Sequence, residues 1–117
     1  MSLLVVMGIG LGGALGALMR ALFGRLIKSE FPFATLLVNI LGSFILAATY
    51  ACMPMTSDLS RAIIGTGFCG AFTTFSTFIL ETVILARSGQ FYRAVLYLAL
   101  TVGFCCLASW GGFILMS

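Results

Sequence analysis

Residues 65–81 read GTGFCGAFTTFSTFILE, and they lie in the middle of an apolar run long enough to cross a membrane. Three glycines, four threonines and a serine cluster where a plain membrane anchor would carry leucine and valine. In lipid, irregular backbone persists only where protein or a water-filled cavity satisfies the freed N–H and C=O groups. A polar interruption at membrane depth therefore marks a candidate site, because a broken helix aims carbonyls and an N-terminal dipole end at a ligand.

The surrounding composition agrees. Of 117 residues, 62% are hydrophobic and 8% charged, with a mean hydropathy of +1.22, far from the usual soluble balance. A spanning helix needs about 20 apolar residues, and four stretches qualify: 3–19, 33–53, 62–86 and 94–116. The expected fold is an all-α membrane protein, one four-helix transmembrane domain over residues 1–117 with a broken third helix. The first stretch lacks the basic start of a cleaved signal peptide and reads as a span. There is no histidine, which removes the commonest acid/base group and metal ligand. Cys52, Cys69, Cys105 and Cys106 fall inside apolar spans without C-x-x-C spacing, so they read as small buried hydrophobes. Nothing here points to an enzyme.

Within the central stretch, Gly65, Gly67 and Gly70 formally match the dinucleotide pattern G-x-G-x-x-G. No strand precedes them and no acidic residue follows at the required distance, so they read as close helix contact followed by a break. Phe75 and Phe78, three apart, share one helical face; such a pair packs a core, or turns its electropositive ring edges toward an anion. Glu81 lies one turn past Thr77, and an ionisable group inside a span is a functional candidate.

Working outward, Gly8, Gly12 and Gly16 form overlapping GxxxG patterns, a face for close backbone approach. Arg20 follows one turn later, either a topology anchor or a cation at the mouth of an anion path. A basic loop with Arg25, Lys28 and Glu30 leads to Pro32, suited to a helix start. Thr35, Asn39 and Ser43 share one face of the second span, as an interhelical hydrogen-bond seam or a pore lining. Pro54, Ser57, Asp58 and Arg61 mark the turn before the third span. Arg87 and Arg93 precede the fourth, where Tyr97, Thr101, Cys105 and Ser109 make a slanted polar stripe.

These residues resemble the Fluc (CrcB) family of fluoride channels, through GGALGALMR at 12–20, ATLLVNILGSF at 34–44 and above all GFCGAFTTFSTFILE at 67–81. The resemblance implies an antiparallel, dual-topology dimer in the bacterial inner membrane that lets cytoplasmic fluoride leave passively and so reduces its toxicity. It implies that Phe75 and Phe78 present ring edges to fluoride and that Asn39 reaches the pore. Ser76, Thr77, Glu81 and Tyr97 match the polar track, with Thr101 beside them, and Arg20 matches a vestibule arginine. Gly70 and Thr73 match a break whose backbone carbonyls, two from each subunit, hold a central structural sodium ion. Cys105 departs from the serine common in the family, and Ala34-Thr35-Leu36 from its Gly-Thr-Leu. The chemistry is consistent: a pore selective for a small, strongly hydrated anion must replace its water with donors at close quarters.

Topology adds a conflict. Arg20, Arg25, Lys28, Arg87 and Arg93 fall on one side and Arg61 alone on the other, so the positive-inside rule favours one orientation, with both termini outside. An antiparallel homodimer needs both, which leaves an oppositely oriented paralogue open as the second subunit. Two other functions fit a small four-span chain. A small multidrug-type transporter would need a carboxylate in the first span, where residues 1–19 contain none; a structural subunit would explain the glycine faces but not the polar stripes.

Overall fold

The computed structural model describes residues 3–28, 31–52 and 58–116. Four helical spans long and apolar enough to cross a membrane are present: Leu3–Leu26, Phe33–Cys52, Leu59–Arg87 and Phe91–Met116. The first, α1 (Leu3–Leu26), outruns the expected span by two turns, so Arg25 belongs to the helix, with Arg20, and not to the loop. In α2 (Phe33–Cys52) the Leu36 N–H donates to the Pro32 carbonyl at 3.2 Å, which opens the helix at the proline. Likewise α6 (Phe91–Met116) starts early enough to carry Arg93 in its first turn. Glu30, Pro54 and Ser57 lie outside the described residues.

The third span is composite. It begins with α3 (Asp58–Arg61), widens into a π-helix (Ala62–Cys69), returns to α4 (Gly70–Phe72), and breaks at Thr73 and Thr74 before α5 (Phe75–Arg87). The break thus includes Thr73, as expected, but starts there and not at Gly70, and takes in Thr74. Gly70 is helical, with φ −61° and ψ −35°, whereas Thr73 (φ −84°, ψ 158°) and Thr74 (φ −150°, ψ 119°) are extended.

Glycine decides how closely the spans pack. A Cβ on Gly12 would collide with the Ile63 carbonyl oxygen and one on Gly16 with the Phe68 carbonyl oxygen, while a Cβ on Gly67 would lie 2.7 Å from Ile9 O. The α1 glycine face therefore packs on the π-helical backbone, as the GxxxG spacing predicts. A second seam joins α2 and α6, where a Cβ on Gly112 would lie 2.6 Å from Phe44 O and 3.3 Å from Ala48 N.

Tyr97, 0% exposed, centres the core between α2, α5 and α6 with Leu36, Phe78, Leu85 and Ala94. Its ring meets Phe78 and Phe31 edge-on at 5.1 and 5.5 Å. Leucine, valine and phenylalanine side chains cover much of the outside, as a chain solvated by lipid requires. The turn into α6 closes on Gly89, whose φ of +82° a residue with a Cβ rarely adopts.

Candidate functional site

The break is held by a side chain from another helix. Asn39, buried in the middle of α2, accepts the Thr74 N–H on Oδ1 at 2.8 Å and donates Nδ2–H to the Thr74 carbonyl at 3.2 Å. Because the backbone donor must face the amide oxygen and the backbone acceptor the amide nitrogen, only one amide orientation serves. Thr74 then caps α5, its Oγ1 accepting the Thr77 N–H at 3.2 Å. On the other flank, the Thr73 hydroxyl and Thr73 N–H both donate to Cys69 O, at 2.8 and 3.0 Å. Thr73 Cγ2 presses on Gly42, which has no side chain to obstruct it.

These bonds redirect the amides that a continuous helix would use. Thr74 N–H would normally donate to Gly70 C=O and Thr77 N–H to Thr73 C=O. Asn39 takes the first and Thr74 Oγ1 the second. The carbonyls of Gly70 and Thr73, the two expected to hold a cation, are among those that lose their α-helical donors at the break. Peptide carbonyls are hard oxygen ligands, suited to an alkali cation, so the donor set fits a sodium ion.

Two clefts meet at this clamp, and Thr74 lines both. The first, about 510 Å³, is bordered by Arg20 and Lys28 from the end of α1 and just beyond it, by Thr35 from α2, and by Thr74, Thr77 and Glu81. The second, about 470 Å³, runs between α2, the third span and α6, lined by Asn39, Ser43, Gly70, Phe75, Phe78, Thr101 and Cys105 among others. Glu81 accepts a hydrogen bond from the Tyr97 hydroxyl at 3.0 Å, which compensates part of the cost of a carboxylate at membrane depth.

The expected site residues thus divide between the two clefts, with Tyr97 and Ser76 in neither. Arg20, Thr77 and Glu81 share the first cleft; Asn39, Phe75, Phe78 and Thr101 share the second, with Gly70 and Thr73 along its wall. Tyr97 is buried behind them, reached through Glu81 and Phe78. Ser76 is exposed, its Oγ 3.4 Å from Thr74 Oγ1. The two phenylalanines do not form one buried pair: their centroids are 5.9 Å apart, but Phe78 is 4% exposed and Phe75 74%. Asn39 is committed to Thr74 through Oδ1 and one N–H, so the amide clamps the break before it can meet an ion. Thr101 is buried, and its Oγ1 has no hydrogen-bond partner among the described residues.

Residues 7–113 match the family model described as CrcB-like protein, Camphor Resistance (CrcB). The chain belongs to the Fluc (CrcB) family. A protein of Campylobacter lari named fluoride-specific ion channel FluC is 40% identical over 94% of this chain and 95% of its own length. One of that name from Campylobacter jejuni subsp. jejuni is 42% identical over 92% of this chain and 93% of its own. A third, from Shewanella frigidimarina, is 44% identical over 86% of each. As a Fluc family member, the chain is a multi-pass membrane protein of a channel family and not an enzyme. Thr74, Gly42 and the π-helix are the features of this Fluc chain that sequence reasoning missed. The Asn-to-backbone clamp leaves no local signature, since its partners are 35 positions apart.

Proposed function

We propose that the protein is a fluoride channel through which cytoplasmic fluoride leaves the cell passively, across the bacterial inner membrane, as an antiparallel dimer. The observation that carries the reading is the pair of clefts, each with hydroxyl or amide side chains in its lining, that meet at the Asn39–Thr74 clamp inside an apolar bundle, in a chain whose relatives bear the name fluoride-specific ion channel. Arg20 and Lys28 raise the local anion concentration at the first cleft, and a cation-lined recess does so without binding at full charge deeper in. The Thr77 hydroxyl, the ring edge of Phe78, the unused N–H of Asn39 and the unpartnered Thr101 hydroxyl then replace water around the ion. The Tyr97 hydroxyl, by bonding Glu81, softens a carboxylate that would repel it.

A second copy of the chain is favoured by what one copy leaves open. The second cleft has Ser43, Gly70, Thr73 and Thr101 in its lining, and carbonyls without helical donors beside it need a partner other than lipid. Phe75 and Gly70 are exposed on the same side. The diverted carbonyls of Gly70 and Thr73 would hold the structural sodium ion at the seam between copies, where its charge would tie the subunits together. The bias of basic residues to one side keeps an oppositely oriented paralogue as the alternative partner.

The test is fluoride efflux from liposomes carrying the purified protein in sodium buffer, followed with a fluoride electrode. Efflux well above empty vesicles, with chloride retained, is expected. Efflux no faster than from empty vesicles would overturn the proposal.

A further inference from the structure

One pair of residues serves both the carbonyls and the anion path. The chain of bonds runs from the Asn39 amide to the Thr74 backbone, and from the Thr74 hydroxyl to the Thr77 amide. Its first link diverts the helical donor of Gly70 C=O and its second the donor of Thr73 C=O. The same links set where α5 begins, and therefore where Phe75, Thr77 and Phe78 stand, since all three follow Thr74 within four residues. Thr74 lines both clefts and Asn39 lines the second. Removing either link lets an amide return to its helical carbonyl and begins to heal the break.

We infer that Asn39 and Thr74 are positioning residues that couple cation occupancy at the Gly70 and Thr73 carbonyls to the geometry of the anion path; this rests on the fluoride-channel reading above. Coupling of this kind is reciprocal: a cation that favours carbonyls without their helical donors also favours the capped start of α5, and loss of the cap weakens the cation. The role is distinct from contact with the ion, because it acts through backbone groups of Thr74 and Thr77.

Three variants test it: Thr74→Ser keeps the capping oxygen, Thr74→Val keeps the shape without an acceptor, and Asn39→Leu keeps volume without the clamp. The readouts are the rise in thermal midpoint of the purified protein when sodium gluconate replaces N-methylglucamine gluconate, and the sodium concentration at half-maximal fluoride efflux. A ligand that binds the folded state raises its stability in proportion to ln(1 + [L]/Kd). Wild type and Thr74→Ser should show the sodium-dependent rise, while Thr74→Val and Asn39→Leu should need at least about tenfold more sodium for both readouts. Should Thr74→Val conduct poorly yet keep the wild-type sodium midpoint, the residue acts in the anion path alone and the inference is wrong. The inference also fails, with the sodium assignment, if wild type is indifferent to sodium. A wild type that responds to sodium but passes no fluoride would defeat the channel reading instead, while Thr74→Val would still decide the clamp's effect on the cation.

Discussion

Adjacent glycines on α6 provide an internal comparison for the seam that carries the polar stripe. A Cβ added at Gly112 would lie 2.6 Å from the Phe44 carbonyl oxygen on α2, whereas one at Gly111 meets nothing within 4 Å. Ordinary contact begins at 3.4 Å, so Gly112→Ala must part the two helices by about 0.8 Å along that line, a shift that rigid, close-packed interiors resist. Overpacking of this kind costs about 1–3 kcal/mol, while alanine in place of glycine in a helix contributes about 0.8–1 kcal/mol in the other direction. The second term is common to both variants, so Gly112→Ala should be less stable than Gly111→Ala by about 1–3 kcal/mol. At about 1.4 kcal/mol per tenfold, the unfolding constants should differ by about 5- to 150-fold. Unfolding in mixed micelles, followed by circular dichroism, measures this directly. Fluoride flux should fall with Gly112→Ala as well, because Ser43, Thr101 and Cys105 face one cleft from the same two helices. If the two variants were equally stable, α2 and α6 would not be held at the distance argued here.

Three further outcomes follow from the site. Phe78→Ile and Phe75→Ile should each slow fluoride efflux by at least about tenfold, through loss of the electropositive ring edges. Only Phe78→Ile should also lower the thermal midpoint, since Phe78 is buried and Phe75 is not. Thr101→Val removes a buried hydroxyl with no partner among the described residues, so stability should hold or rise by about 1 kcal/mol while efflux falls. A loss of stability there would mean that the hydroxyl is bonded within the fold. Tyr97→Phe deletes the donor to Glu81 and should reduce efflux, with Glu81→Gln relieving the defect in the double variant; an additive double variant would dissociate the two groups.

The spans, the glycine faces and the polar stripes were legible because each is a periodic signal within one helix. Gly12 and Gly16 meet backbone where the GxxxG spacing predicts, although the partner is a π-helix that no local pattern announced. The break was visible as a cluster of hydroxyls and its Thr73 end was placed correctly, but its start was put too early. Glycine composition drew attention to Gly70, whereas the extended residues are Thr73 and Thr74, held by an amide from α2. Phe75 and Phe78 looked equivalent by spacing and are not. Burial depends on what surrounds a helix, and here α6 and Tyr97 cover one ring and leave the other open.

Gly70 then needs a different explanation from the one its conformation would give. Its φ and ψ are helical, which any residue adopts, and the nearest atom to a Cβ built there is Gly65 O at 3.9 Å, so neither backbone freedom nor packing within the chain requires glycine. The position is exposed and lies on the wall of the second cleft, beside Thr73 and Phe75. A missing side chain there matters only to something that approaches from outside this chain. Gly70→Ala should therefore leave the helical content and monomer fold unchanged, while its methyl group keeps a second copy from approaching the carbonyls. The expected loss is in self-association, read as dissociation on dilution in detergent by size-exclusion chromatography with light scattering, with the sodium-dependent rise in thermal midpoint falling in parallel. A Gly70→Ala protein that associated as tightly as wild type would mean that the open face of the second cleft is covered by lipid, and the dimer reading would lose its structural support.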